Sequence, residues 1–157
     1  MIQPQQVPTI ALMPPGDGGP PRGSFKPETD DAKFTTPLRV LIIEDERLVA
    51  MNMETALTEA GFEVLDIADT ESDAVDAAER LRPDLIIMDI TLREGSGISA
   101  AITITKTLAA HIIFVSGNSD PATLAAANKA NPAAFIRKPF LTERFARLVA
   151  DAVAKKD

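Results

Sequence analysis

Several residue types that build common functional sites are absent or nearly absent from this chain of 157 residues. It has no cysteine, which excludes disulfides, zinc–thiolate sites and thiol catalysis. Its one histidine, His111, excludes metal sites built from several histidines. It also has no tryptophan and no tyrosine, so intrinsic indole fluorescence cannot report ligand binding.

The charge and the hydropathy pattern exclude further classes of protein. The net charge of -7 argues against nucleic acid as the main partner, because phosphate contacts need clustered lysine and arginine. No apolar run approaches the roughly 18 residues of a membrane helix, and the apolar stretch 10–13 is too short for a signal-peptide core. The sequence therefore predicts a cytoplasmic protein with neither a membrane nor a nucleic-acid partner.

Composition divides the chain in two. Residues 1–37 contain eight of the twelve prolines and four of the eight glycines, and the run 13–21 is unsuited to a helix or a sheet interior. We expect 1–37 to be a disordered or extended tail and 38–157 to form one domain. The tail is either a solvated leader or a docking arm with 10–13 as its apolar anchor.

From residue 38 onward, short apolar runs alternate with helical periodicity, which predicts an α/β domain with a parallel sheet. The predicted strands are 38–43, 62–68, 85–88, 111–115 and 133–137. The predicted helices are 46–60, a helix capped by Thr70 that ends near residue 81, 98–108, a short helix after Pro121, and 142–154. On the last helix the predicted apolar face is Leu141, Phe145, Leu148 and Ala152. Right-handed crossovers place helices on both faces of such a sheet, and ligands bind at the carboxyl ends of its strands.

Reactive side chains follow four of the five predicted strands. Glu44 and Asp45 come after the first strand, Asp89 after the third, Ser116 after the fourth and Lys138 after the fifth. Three neighbouring carboxylates repel one another, and a bound hard cation relieves that repulsion. Oxygen ligands without sulfur or imidazole are what magnesium prefers, so the pattern predicts a Mg²⁺ site.

A carboxylate beside magnesium can also accept a phosphoryl group as an acyl phosphate. The transition state of that transfer spreads negative charge over three oxygens, which a cation, a positive side chain and hydrogen-bond donors stabilise. Lys138, the Ser116 hydroxyl and the backbone amides after Asp89 can fill these roles. The edge of the sheet is therefore predicted to accept phosphoryl groups.

From residue 38 to about 153 the chain resembles a response-regulator receiver domain of bacterial two-component signalling. The motifs that carry the resemblance are Val40-Leu41-Ile42-Ile43-Glu44-Asp45-Glu46, Leu85-Ile86-Ile87-Met88-Asp89-Ile90, Gly97, Ser116 and Lys138-Pro139-Phe140. The resemblance implies a flavodoxin-like, doubly wound sheet of five parallel strands in the order 2-1-3-4-5, with five helices.

The same resemblance implies roles for the residues at the sheet edge. Asp89 is the expected phosphoacceptor, and Lys138 is expected to contact the phosphoryl group. Glu44, Asp45, Asp89 and the backbone carbonyl of Thr91 are the expected Mg²⁺ ligands. The Lys138–Pro139 bond is expected to be cis.

Two residues are expected to form the switch. By the resemblance, Ser116 moves toward the phosphoryl group, and the aromatic ring of Phe135 turns inward on activation. Phenylalanine at this position keeps the aromatic ring, which can still repack on activation, but lacks the hydroxyl that a tyrosine would use. Gly117 replaces the alanine that is most common after the switch hydroxyl.

The resemblance implies partners and an overall role. A histidine kinase or histidine phosphotransfer protein would donate the phosphoryl group, and an unknown output protein would read the switch. Because only one helix is predicted after Pro139, we expect a single-domain regulator, either a monomer or a weak phosphorylation-dependent dimer. Its only catalysis would be its own Mg²⁺-dependent phosphotransfer and dephosphorylation.

Three other readings stay open at the level of sequence. The chain could be a phosphate relay or sink without an output partner, which a short acyl-phosphate lifetime would favour. It could be a phosphorylation-independent adaptor, although the complete acceptor set argues against this. The third reading is an aspartate-based phosphatase of the haloacid-dehalogenase type. That class needs a second aspartate two residues after the nucleophile, and Thr91 at this position counts strongly against it.

Overall fold

The computed structural model describes residues 36–118 and 120–156. The tail predicted at 1–37 therefore lies almost entirely outside the described residues. Within the described ranges, no helix has both the length and the apolar character needed to cross a membrane.

Five parallel strands form one sheet in the order β2-β1-β3-β4-β5, which confirms the predicted order. The strands are β1 (Arg39–Ile43), β2 (Glu63–Ala68), β3 (Leu85–Asp89), β4 (His111–Ser116) and β5 (Ala134–Arg137). Every residue of the central strand β3 is buried, as expected for a parallel strand covered on both faces. The helices that cover those faces are α1 (Arg47–Glu59), α2 (Glu71–Leu81), α3 (Gly97–Thr105), α4 (Pro121–Asn128) and α5 (Thr142–Lys156).

The two faces of the sheet carry separate apolar layers, because successive strand side chains point in opposite directions. On β1, Leu41 and Ile43 belong to the layer under α2, α3 and α4. Val40 and Ile42 belong to the layer under α1 and α5. The resulting core is buried on both sides of the sheet, which leaves its carboxyl edge as the place for polar chemistry.

The predicted start of α2 is confirmed by its cap. The Thr70 side-chain oxygen accepts a hydrogen bond from the Asp73 amide at 3.1 Å. The helix ends at Leu81, and the next residue, Arg82, has a left-handed φ of 50° and precedes Pro83. The connection from β2 into α2 is therefore well defined, and it borders the candidate site.

The third helix is shorter than predicted. The sequence pattern extends it to residue 108, whereas α3 ends at Thr105. The Thr105 hydroxyl donates to the carbonyl of Ala101 at 2.9 Å, and the amide of Thr107 bonds to the carbonyl of Ile104, three residues back. Threonine-rich sequence has low helix propensity, and here the last turn tightens and stops.

The predicted apolar face of the last helix was partly wrong. Leu141 precedes α5 and is 57% exposed, and Leu148 is 39% exposed. Phe145 and Ala152 are buried as predicted, and Val149 and Val153 complete the buried face. Spacings of three and four fit both Leu148 and Val149, and packing against the sheet buries Val149.

Candidate functional site

The three predicted carboxylates meet at the carboxyl edge of the sheet. Glu44 and Asp45 follow β1, and Asp89 ends β3, which is the neighbour of β1 in the sheet. Each of the three side chains offers one oxygen, and these oxygens lie within 4.8 Å of one another. Glu44 is 2% and Asp89 is 5% exposed, so two of the three acids lie where water screens charge poorly.

Lys138 reaches the same cluster from the end of β5. Its Nζ lies 3.0 Å from Oε1 of Glu44, 3.0 Å from Oδ2 of Asp89 and 3.3 Å from Oε1 of Glu46. The backbone amide of Lys138 donates to the carbonyl of Ser116 at 2.9 Å, which holds the chain beside β4. The Lys138–Pro139 peptide bond is cis, as predicted.

The charges in this cluster perturb one another. Burial alone would lower the pKa of Lys138, but the carboxylates of Glu44 and Asp89 outweigh it and raise that pKa. Burial raises the pKa of Glu44 to about 7, against the opposing effects of Lys138 and of the Glu46 amide. The ammonium group therefore stays charged, whereas one of the carboxyls lies in an environment that disfavours its charge.

The donor set fits a hard divalent cation. It contains only carboxylate oxygens, and one lysine offsets their combined charge incompletely. Oε1 of Glu44 is fully buried, and its ion-pair contact with Lys138 does not supply a regular hydrogen bond. Three carboxylates share this one ammonium, so they leave oxygen ligands and negative charge for a divalent cation, which matches the ligand preference of magnesium.

The backbone after Asp89 turns back toward its carboxylate. The amide of Thr91 donates to Oδ1 of Asp89 at 3.1 Å. Oδ1 is thereby held by an amide and Oδ2 by Lys138, which fixes the orientation of the carboxylate. The ligand role of the Thr91 carbonyl stays a prediction.

The two predicted switch residues lie on neighbouring strands: Ser116 ends β4, and Phe135 lies on the edge strand β5. The Ser116 hydroxyl donates to the carbonyl of Asn118 at 3.0 Å and accepts from its amide at 2.9 Å, so it is held within its own loop. Phe135 is 36% exposed and stacks on the buried ring of Phe114 with a centroid separation of 5.7 Å. Their movement on phosphorylation stays a prediction.

Sequence reasoning missed two acidic residues near the site. Glu46 pairs with Lys138 but was read only as part of a motif. Glu71 contacts the loop that follows β3. The position of Glu46 directly after two acids was a usable signal, whereas the contacts of Glu71 reach across 25 and 28 residues and left no local pattern.

Comparison with known proteins identifies the family to which this fold belongs. A family model described as "Response regulator receiver domain" matches residues 40–150. The transcriptional regulatory protein PdtaR of Mycobacterium tuberculosis is 38% identical over 112 residues, which are 71% of this chain and 55% of that protein. The chemotaxis protein CheY of Thermotoga maritima is 38% identical over 107 residues, which are 68% of this chain and 89% of that protein.

A solved structure agrees with these sequence relatives. The signal receiver domain of a modulated diguanylate cyclase from Desulfovibrio desulfuricans G20 is 32% identical, with a TM-score of 0.70 over 77% of this chain and 97% of that domain. This chain spans about half the length of PdtaR. The chain belongs to the response-regulator receiver domain family of two-component signalling.

Proposed function

We propose that this chain is a phosphorylation-dependent switch that accepts a phosphoryl group on Asp89. The observation that carries the proposal is the convergence of Glu44, Asp45 and Asp89 with Lys138 at one edge of the sheet. The donor would be a phosphohistidine of a histidine kinase or of a histidine phosphotransfer protein. An output protein would then bind one phosphorylation state better than the other.

In the proposed reaction, an oxygen of the Asp89 carboxylate attacks the phosphorus of the phosphohistidine. The O–P bond of the acyl phosphate forms while the P–N bond breaks, and the imidazole nitrogen leaves with the electron pair of that bond. Lys138, now 3.0 Å from Asp89, would offer its positive charge to the phosphoryl oxygens. The Thr91 amide keeps the carboxylate oriented for attack.

Magnesium is the cofactor that the proposal requires. Glu44, Asp45, Asp89 and the carbonyl of Thr91 would hold it, and it would neutralise charge on the transferred group. The other tasks belong to the chain's own residues. The Thr91 amide orients Asp89, Glu44 holds the ammonium group of Lys138 in place, and the fold keeps Glu44 and Asp89 away from water.

The switch itself would be a shift between two conformations. The acyl phosphate adds charge at the edge of the sheet and offers acceptors for the Ser116 hydroxyl, which must then give up its two bonds to Asn118. Phe135, which is partly exposed and stacks on Phe114, would repack when Ser116 moves. The surface near β4 and β5 would change, which is how a covalent event at Asp89 could select a partner.

The proposal is tested by intact mass after incubation with acetyl phosphate and Mg²⁺. The wild type and Asp76→Asn, a matched change at an exposed acid of α2, should each gain one phosphoryl group. Asp89→Asn should gain none, and a chelator should abolish the gain in all variants. If no mass is added to the wild type, even with short incubation and a candidate kinase, the proposal is wrong.

The relay or sink reading remains the second candidate function. Binding to candidate partners, compared between phosphorylated protein and Asp89→Asn, separates it from the switch. A short acyl-phosphate lifetime with no partner gained on phosphorylation favours the relay. Equal binding by both forms favours a phosphorylation-independent adaptor.

Several finer features belong to the same proposal. We propose that the protein is cytoplasmic, has no nucleic-acid partner, and is a monomer or a weak dimer when phosphorylated. Its only catalysis would be its own phosphotransfer and dephosphorylation. The expected single-domain arrangement is tested by the intact mass of the native protein, and the oligomeric state by light scattering with and without phosphorylation.

A further inference from the structure

The loop that follows β3, residues 90–96, is bound to the start of α2, and we call it the acceptor loop. The amide of Glu71 donates to the carbonyl of Glu94 at 3.0 Å, and Thr70 forms an isolated parallel bridge with Glu94. Arg93 pairs with Asp69 at 2.9 Å. The loop is thus held by the segment that connects β2 to α2, although β1 separates β2 from β3 in the sheet.

The Glu71 side chain makes the most specific of these contacts. Its Oε1 accepts from the backbone amide of Ser96 at 2.9 Å, and its Oε2 accepts from the hydroxyl of Ser99 at 2.6 Å. These two hydrogen bonds lower the pKa of Glu71, so the carboxylate is charged at neutral pH. One side chain therefore holds both the end of the acceptor loop and the first turn of α3.

Gly95 shows how closely Glu71 lies against the loop. A Cβ at this position would overlap Cβ of Glu71 and lie 2.5 Å from its Oε1. The φ of Gly95 is +87°, a conformation that other residues rarely adopt. Glycine therefore allows the Glu71 contact for two reasons: it has no side chain that would overlap Glu71, and it readily adopts this positive φ.

Direct contacts continue from Glu71 to the acceptor carboxylate. Ser96, held by Glu71, forms an isolated antiparallel bridge with Thr91 across the loop. The amide of Thr91 in turn donates to Oδ1 of Asp89. Gly97 closes the loop, because its amide donates to the carbonyl of Ile90 at 2.9 Å and its Cα packs against the backbone of Asp89.

We propose that Glu71 is a positioning residue for Mg²⁺ binding and phosphoryl transfer at Asp89. It holds the acceptor loop so that Thr91 stays aligned with the Asp89 carboxylate and its carbonyl would be available as a Mg²⁺ ligand. The inference rests on the proposed function, since it assigns to Glu71 a task within that site. It adds a residue that touches neither the metal nor the phosphoryl group.

The test compares Glu71→Ala with the wild type and with Glu79→Ala, a change at an exposed glutamate on the same helix. Mg²⁺ affinity is measured by isothermal titration calorimetry, well below the melting temperature, with folding checked by circular dichroism. We expect the dissociation constant for Mg²⁺ to rise about tenfold in Glu71→Ala, the lower end of the effect of removing a residue that orients ligands. Glu79→Ala should bind as the wild type does.

Two further variants separate positioning from stability alone. Glu71→Gln keeps an acceptor oxygen for the Ser96 amide and an amide donor for the Ser99 hydroxyl, so it should retain affinity close to that of the wild type. Gly95→Ala keeps the Glu71 carboxyl in the sequence but puts a methyl group where that side chain lies against the loop, so it should weaken Mg²⁺ binding. In Glu71→Ala and in Gly95→Ala, the amide resonance of Thr91 should shift in nuclear magnetic resonance spectra recorded without Mg²⁺.

The outcomes distinguish the two proposals. If folded Glu71→Ala and Gly95→Ala bind Mg²⁺ as tightly as the wild type, the positioning role is wrong while the phosphoacceptor function stands. If the wild type itself neither binds Mg²⁺ nor gains a phosphoryl group, the proposed function fails first. Should Glu71→Ala not fold, the other two variants decide the question. Weaker Mg²⁺ binding by Gly95→Ala with unchanged binding by Glu71→Gln supports the positioning role, and unchanged binding by both contradicts it.

Discussion

At the scale of single residues, Lys138 offsets part of the negative charge of the acidic cluster. Lys138→Ala would leave Glu44 and Asp89 buried and facing each other. We expect the free energy of unfolding to fall by about 2 kcal/mol, less than the full effect of breaking a buried ion pair, because one carboxyl can take up a proton. Urea unfolding followed by circular dichroism measures this.

Magnesium should restore much of the stability lost in Lys138→Ala, because a divalent cation can replace the ammonium charge. Lys155→Ala, at the exposed end of α5, is the control and should change little. Equal stability of Lys138→Ala and wild type without Mg²⁺ would show that the acids do not depend on Lys138.

The Glu71 carboxyl should contribute a pH-dependent part of the stability. Its pKa is below the ordinary value of 4.5 because of the bonds from Ser99 and Ser96. Between the lowered pKa of the folded protein and 4.5, the Glu71 carboxyl binds more protons in the unfolded chain than in the folded one. The free energy of unfolding therefore rises with pH in this range. The advantage of the wild type over Glu71→Gln should be complete above pH 4.5 and shrink as the pH falls below it.

Urea midpoints of the two proteins between neutral pH and acid measure this difference. A gap between the wild type and Glu71→Gln that stays constant, or that widens on acidification, would contradict the assigned hydrogen bonds.

The core of the site could be predicted from sequence, whereas its supporting contacts could not. Glu44, Asp45, Asp89 and Lys138 each follow an apolar strand, and parallel strands bring such positions to one edge. The contacts of Glu71 depend on side-chain placement between two helices and a loop, and nothing in the local sequence specifies that placement.

At the scale of elements, Gly97 at the start of α3 and Gly117 just after β4 should respond in opposite ways to substitution by alanine. A Cβ at Gly97 would overlap the carbonyl oxygen of Asp89 and lie 2.9 Å from its carbonyl carbon, so Gly97→Ala should lower the free energy of unfolding by about 3 kcal/mol. At Gly117 a Cβ would meet nothing within 4 Å, so Gly117→Ala should be neutral or stabilising by about 0.5 kcal/mol.

Thermal and urea unfolding of both alanine variants, without Mg²⁺, provide the measurement. Similar destabilisation at the two positions would mean that the close approach of α3 to the end of β3 is incorrect.

Elements were easier to predict than their exact packing. The strands β1, β3 and β4 were recognisable because parallel strands buried on both faces are continuous apolar runs. The face of α5 was harder, since Leu148 and Val149 are both apolar and only the fit against the sheet buries Val149 and leaves Leu148 exposed. The end of α3 depended on the Thr105 hydroxyl, which competes for a backbone carbonyl.

At the scale of the whole molecule, Mg²⁺ should act as a stabilising ligand. A ligand that binds only the folded state raises the free energy of unfolding by about 2.7 kcal/mol at one hundred times its dissociation constant. Thermal melting of the wild type should therefore shift upward with Mg²⁺, and Asp45→Asn should lose most of that shift. Asp76→Asn, at an exposed acid, should keep it.

Because the chain carries a net charge of -7, added salt also has a general effect. Potassium chloride of equal ionic strength controls for it. An equal Mg²⁺ shift in all three proteins would indicate general screening rather than the acidic cluster.

The central claim is that Asp89 is the residue that becomes phosphorylated, and locating the acyl phosphate tests it most directly. Borohydride reduces an aspartyl phosphate to homoserine, which peptide mass spectrometry can place in the sequence. After incubation with acetyl phosphate and Mg²⁺, the account predicts homoserine at position 89 and none in the sample treated with chelator. Reduction at Glu44 or Asp45 instead, or at no position in protein that has gained a phosphoryl group, would contradict it.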